Sequence, residues 1–312
     1  MLISTCCLVA QAIGEPCSTQ TIVITVTDGH WKTLSGLKAA NFSVVVDGKP
    51  AKIISVEGSI PPRRMIFLVD HSGSMRGDSY GGLRTDRFRF ALRLAEELIE
   101  VSPRKTPVAL YLFSDNMHRI VKFSDDPLSV TGKLKALPQE ESTAHGRTAM
   151  LDAIYQALAD LKETDREDVV YVMTDGGDNR SRYTETEVKR AIIDSRVRIY
   201  VIGLWTETPG RTAEEAAGPP LTTSLAEISG GQVYVVDINP QLRGGDVNPK
   251  MAVNLMGDLK SAYKLSFSVP DSPKKRYKLK LSLNDLPADM RHGFKLLYPH
   301  ELVGCDNTKA AK

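Results

Sequence analysis

This chain of 312 residues is nearly without net charge: 40 Lys and Arg stand against 38 Asp and Glu, a formal +2. Bulk electrostatics therefore point to neither nucleic acid nor an acidic membrane surface. No stretch approaches the roughly 20 apolar residues of a membrane-spanning helix. Cysteine is scarce, at four. Several enzyme signatures are missing as well. There is no Gly-rich Walker loop for phosphate, no Gly-x-Ser-x-Gly elbow after a strand, and no histidine pair at metal-ligand spacing. The apolar fraction of 42% and charged fraction of 25% are those of an ordinary globular protein, long enough for one large domain and a smaller one.

Leu2 to Ile13 is short and mostly apolar, and Ala10-Gln11-Ala12 has the small-x-small form of a cleavage site, so residues 1–16 read as a secretory leader. No Lys or Arg precedes the apolar stretch, which leaves an N-terminal strand or arm as the alternative. Export to the periplasm, cell surface or medium is the expectation. Cys6 and Cys7 fall inside this segment; Ile3-Ser4-Thr5-Cys6 is a poor lipoprotein box because Thr5 replaces a smaller residue. Cys17 and Cys305 remain. They either pair, closing a loop whose chain-entropy contribution is at most about 5 kcal/mol, or are unrelated thiols.

Residues 17–62 read as a β segment. Ile22, Ile24 and Val26 alternate along Thr21 to Thr27, Phe42 to Val46 follows a turn-prone stretch, and Asp47-Gly48-Lys49 signals a hairpin into Ala51 to Val56. From 63 to 262 strands alternate with helices. Strand-like runs are Met65 to Val69, Val108 to Phe113, Val169 to Met173, Val197 to Ile202 and Val233 to Val236. Phe88, Ala91, Leu92, Ala95, Leu98 and Ile99 repeat at helical spacing, as do Leu151, Ile154, Leu158 and Leu161. Such alternation predicts an open, mostly parallel, doubly wound α/β sheet. Met117 to Phe123 follows its predecessor too closely for a crossover and is expected as an antiparallel edge. Asn248-Pro249 opens a last helix.

Residues 263–312 return to strands, at Tyr263 to Val269, Tyr277 to Leu283 and Gly293 to Leu297. The basic side chains of Arg276, Lys278 and Lys280 alternate with Tyr277, Leu279 and Leu281, so they read as the wet face of an amphipathic strand. Three strands before the α/β region and three after it are few for independent sheets. They are expected to combine into one small β-sandwich with the α/β domain inserted.

Asp70-His71-Ser72-Gly73-Ser74 lies at the carboxyl end of the first buried strand of the α/β region. Thr148 precedes a helix, and Thr174-Asp175-Gly176 follows another buried strand. All three loops should share the sheet edge where open α/β folds bind ligands. With these residues in this order the stretch from about 64 to 262 resembles the von Willebrand factor A family. The resemblance implies a metal-ion-dependent adhesion site in which Ser72, Ser74 and Thr148 supply hydroxyls and Asp70 and Asp175 bind directly or through water. It also implies a final helix that moves when the metal gains a ligand. The flanking β segments further resemble exported bacterial proteins that carry a related domain beside a short β module.

The residue types point the same way. Mg2+ prefers octahedral oxygen coordination with one or two carboxylates and retained waters; Mn2+ has similar preferences, and Ca2+ wants more oxygens. Three hydroxyls and two acids leave such a cation electrophilic enough to take one more carboxylate. The reading is a non-enzymatic binding module that coordinates Mg2+ and an Asp or Glu of a protein or other macromolecular partner. A metal-independent assembly scaffold is the alternative, and a hydrolase comes third. Adjacent side chains at a strand end diverge, so Asp70, His71 and Ser72 do not make a triad. Asp178 and Asn179 are candidates for supporting the site and equally for ordinary turn chemistry. His71 is taken as a variable loop position, and the oligomeric state is not legible.

Overall fold

Met65 to Asp70 is buried at every position and forms a central strand of the largest sheet. The computed structural model describes residues 19–27, 34–76, 79–80, 83–84, 86–103, 105–124, 126–137, 144–205, 213–236, 249–260, 262–269, 275–286 and 294–304. The leader-like segment, Cys17 and Cys305 lie outside the described residues.

In chain order the elements are β1 (Thr19–Thr27), β2 (Phe42–Val46), β3 (Lys49–Ala51), β4 (Ile53–Glu57), β5 (Met65–Asp70), β6 (Ser79–Tyr80), β7 (Leu83–Arg84), α1 (Arg87–Glu100), β8 (Val108–Phe113), β9 (Met117–Ser124), α2 (Pro127–Lys135) and α3 (Met150–Asp160). They continue with β10 (Val169–Thr174), α4 (Glu185–Ser195), β11 (Arg198–Gly203), α5 (Ala213–Ser229), β12 (Val233–Val235), α6 (Pro249–Lys260), β13 (Tyr263–Ser268), β14 (Arg276–Leu283), β15 (Lys295–Leu297) and β16 (Glu301–Val303).

The central sheet has the order β12-β11-β10-β5-β8-β9 and is parallel except for β9, the antiparallel edge expected from its short connection. Both faces are covered because successive residues of a strand point to opposite sides. Met65, Phe67 and Val69 pack toward α1, α2 and α6, while Ile66 and Leu68 pack toward α3, α4 and α5. Each such side chain contributes about 1.5–3 kcal/mol by leaving water. After β5 the chain builds outward through β8 and β9, then returns across to β10. The strand order thus reverses between β5 and β10, whose carboxyl ends lie side by side.

The flanking segments meet as expected. β1 pairs antiparallel with β13, and β2 with β14, giving two four-stranded sheets, β15-β1-β13-β4 and β16-β14-β2-β3, over one apolar core. Asp47 and Gly48 turn β2 into β3 with φ of 50° and 81°, the left-handed pair of a two-residue hairpin. Lys278 and Lys280 face water, as the alternation of β14 requires.

Three details depart from the sequence reading. The run Ala51 to Val56 is not one strand: it breaks at Lys52, so that β3 pairs in one sheet and β4 in the other, a corner at which the chain changes layers. From Ile22 onward β1 shows no wet face, because Val23, Thr25 and Thr27 are buried as fully as Ile22 and Ile24, and α6 packs on this strand. β16 and α2 have no counterpart in the sequence reading, whereas α4 and α5 are the crossover helices that the strand-helix alternation implies. α5 runs through Pro219 and Pro220 without a break.

The loop between α3 and β10 ties the sandwich to the central sheet. Arg63 and Arg64 each place Nε 3.1 Å and Nη2 2.7 Å from the two carboxylate oxygens of the buried Asp168. Lys264 on β13 pairs with Glu167 at 2.8 Å, and Arg166 donates to the side chain of Gln20 on β1 at 2.9 Å. Among the described residues no helix is long and apolar enough to cross a membrane.

Candidate metal centre

Val69 and Met173 are register partners, so Asp70 and Thr174 leave neighbouring strands at the same level. Thr174 donates its hydroxyl to Asp70 Oδ2 at 2.6 Å, and the Ser72 amide donates to Asp70 Oδ1 at 2.8 Å. The second bond is the local turn that an Asp two residues ahead of a Ser favours. A single 3-10 turn over Gly73–Arg76 then folds Ser74 back over the strand end. The hydroxyls of Ser72 and Ser74 lie 3.1 Å apart, and Ser74 donates to Asp175 Oδ1 at 3.0 Å. Short local steps from two adjacent strands thus gather Asp70, Ser72, Ser74 and Asp175.

Thr148 arrives from a third direction and is buried. Its loop is laced to the first one: the Gly73 amide donates to the Gly146 carbonyl at 3.0 Å and the His145 amide to the His71 carbonyl at 2.9 Å. Asn179 clamps Thr148 itself. Its side-chain oxygen accepts the Thr148 amide at 2.9 Å, and its own amide donates to the Thr148 carbonyl at 3.0 Å. Asp178 accepts the Leu151 amide at 2.8 Å and the Ser181 hydroxyl at 2.7 Å, capping the start of α3. Asn179 thus holds Thr148 itself, while Asp178 holds the first turn of α3 that follows it, both by ordinary turn and cap chemistry.

Burial, and after it the neighbouring charge of Asp175, push the Asp70 carboxyl up to about 7, against the opposing hydrogen bonds from Thr174 and Ser72. Two acids held this close resist being ionised together. A divalent cation relieves that cost. Among the described residues no group of three or more His, Cys, Asp and Glu side chains converges anywhere, so a metal here would depend on hydroxyls. An oxygen-only set of two carboxylates and three hydroxyls fits a hard cation such as Mg2+ or Mn2+ and does not fit zinc, which favours nitrogen and sulfur.

Sequence reasoning did not single out Thr174 or Arg87. Thr174 had a signal, since it is the final residue of a buried strand beside Asp175. Arg87 had none: it opens α1, donates to the Ser74 carbonyl at 3.0 Å and lies 3.6 Å from Asp175 Oδ2. His71 is more than a variable loop position. Its ring lies 4.5 Å from Phe88 and 5.3 Å from His145, and burial, then His145, His118 and Arg76, lower its pKa, favouring the uncharged ring beside the cluster. Gly218 of α5 seats the loop after Asp175, because any side chain there would run into the backbone of Gly176.

Residues 65–177 match the model of the von Willebrand factor type A domain. A search of curated proteins found no match. Among solved structures, the chain is similar to a von Willebrand factor type A protein from Catenulispora acidiphila, at 14% identity over 94% of this chain and 76% of the other, TM-score 0.45. It is similar to the conserved hypothetical protein BatB from Bacteroides thetaiotaomicron, at 17% identity over 62% and 96%, TM-score 0.44. The manganese-loaded TRAP protein of Plasmodium vivax aligns at 16% identity over 79% and 97%, TM-score 0.43. At TM-scores this low these likenesses carry no weight of their own. The family match spans the first and last of the loops described above and the strands that lead into them, so within residues 65–177 the α/β unit matches the von Willebrand factor type A domain.

Proposed function

We propose that this protein is a binding module, not an enzyme, whose α/β unit holds Mg2+ or Mn2+ on Asp70, Ser72, Ser74, Thr148 and Asp175 and offers it to a carboxylate of a macromolecular partner. The observation that carries the reading is the pair of acids, Asp70 and Asp175, joined through serine hydroxyls at the point where strand order reverses. With only two carboxylates among five ligands and the rest neutral hydroxyls, a divalent cation stays electrophilic enough to take one more acid, which favours binding over activating water for chemistry. An exported location belongs to the same proposal, on the leader-like residues 1–16.

A thermal unfolding titration of the full chain with Mg2+ and Mn2+ against a chelator tests it. A ligand that binds only the folded state at a hundred times its Kd adds about 2.7 kcal/mol. Stabilisation that disappears in Asp70→Ala supports the site. A native protein indifferent to both metals would leave the assembly scaffold as the better reading.

A further inference from the structure

Among the described residues, the loops around the cluster carry a group of arginines. Arg147 adjoins Thr148 and Arg180 adjoins Asn179, the two residues that clamp each other. Their guanidiniums converge on one acid, with Nε of Arg147 3.7 Å and Nε of Arg180 3.6 Å from Oδ1 of Asp115. The Arg147 and Arg180 side chains are 59% and 48% exposed. One carboxylate cannot neutralise two guanidiniums, and ion pairs this long at the surface are weak. Arg182 is more exposed still, and the Asp152 carboxylate it faces at 3.6 Å already accepts the amides of Arg182 and Tyr183. Arg76, on the other side of the cluster, is exposed and is anchored through Nε on the Ala144 carbonyl. Of the acids among these loops, Asp178 is committed to the start of α3 and to Ser181. With Asp70 and Asp175 balanced by a divalent cation, four arginines face three acids, Asp115, Asp152 and Asp178, among the described residues of these loops.

We infer that this collar selects an acidic peptide segment of a protein partner, in which the carboxylate that takes the metal is flanked by further Asp or Glu side chains that pair with Arg147 and Arg180. The inference rests on the metal-dependent reading above and extends it from one carboxylate to a cluster. An isolated acid satisfies the cation but leaves the arginines in water, whereas flanking acids displace weak contacts to Asp115 with fork-shaped ones. Arg147 and Arg180 meet at a single acid next to the Thr148–Asn179 clamp, a compact pair of charges. That arrangement suits a short acidic cluster and not the evenly spaced phosphates of a nucleic acid. Steering by such a collar raises association rates and fades with salt.

Two synthetic peptides of equal length test this on the full chain by fluorescence anisotropy. One carries a single Glu among Ser and Gly; in the other the same Glu is flanked on both sides by Asp and Glu. In Mg2+ at low salt the flanked peptide is expected to bind about tenfold more tightly, the size of two added surface charge pairs, with the margin shrinking as salt rises. The double variant Arg147→Gln with Arg180→Gln should lose most of that margin while keeping its affinity for the single-Glu peptide and its thermal response to Mg2+. Equal binding of the two peptides, a margin that survives in the double variant, or no binding of either beside a clear Mg2+ thermal shift would overturn the inference. So would inorganic polyphosphate that competes better than the flanked peptide. Arginine-dependent binding unchanged by chelator, with no Mg2+ thermal shift, would support the collar and overturn the metal reading, so the two failures are separable.

Discussion

Two buried aspartates sit at opposite ends of neighbouring strands. Asp70 closes β5 and Asp168 immediately precedes β10, and neither exposes any surface. Asp168 is surrounded by donors: the guanidiniums of Arg63 and Arg64 and the Asp165 amide, 2.9 Å away, all reach its two oxygens. Burial raises its pKa, but the bonds from Arg64, Arg63 and Asp165 outweigh burial and bring it below the ordinary carboxylate range. Asp70 has two hydrogen bonds and another acid for a neighbour, and its pKa rises to about 7. Both are closed to solvent, but opposite surroundings separate a carboxylate that holds the fold together as an anion from one pushed toward its protonated form.

Truncating the two should break the symmetry most visibly. Asp168→Ala strands two arginines at the seam between sandwich and sheet. Both can partly reach water, so the expected loss is about 3 kcal/mol in chemical denaturation, at the lower end for a broken buried pair. Asp70→Asn should do the reverse in chelator, raising the melting temperature by a few degrees while abolishing the response to Mg2+. A loss of stability in chelator comparable to that of Asp168→Ala would sink the contrast.

Next in size is the pH dependence of melting in chelator. The folded pKa of Asp70 lies above its unfolded value, so its contribution is greatest below about pH 4 and is lost as pH rises toward 7. That of Asp168 is lowered, so its contribution is present above about pH 4 and is lost as pH falls through the folded value. Asp70→Asn should flatten the profile between about pH 4 and 7 and leave the acid limb intact; Mg2+ should do the same by holding Asp70 ionised. The smallest effect concerns Arg87, which partly offsets Asp175. Removing that positive charge in Arg87→Met should tighten Mg2+ binding severalfold by calorimetry, and unchanged affinity would show that the guanidinium swings clear.

Asp70, Ser72, Ser74 and Asp175 could be picked out of the chain because each follows a continuous apolar run, and a strand that buries both faces delivers its next residues to the ligand-binding edge. Asn179 was legible as a polar turn residue, but its grip on both backbone groups of Thr148 was not. Arg87 and the sharing of Asp115 by Arg147 and Arg180 were invisible, because charged residues at loop and helix starts are common and only packing decides which face each other. The break at Lys52 was hidden for a similar reason: alternation continues across the corner while the partner strands change.

The order of apolar runs, their turn residues and the hydroxyl and carboxylate side chains at their ends already determined, from the sequence, an α/β sheet with an oxygen-rich loop cluster between β segments that complete each other. These are local properties, written in periodicity and turn chemistry. Tertiary structure decided the electrical character of each acid. Charge and desolvation depend on neighbours far away in the chain, so Asp70 could be recognised as a candidate ligand from its loop, but only its burial in the fold, and after that the approach of Asp175, made it an acid pushed up to about 7.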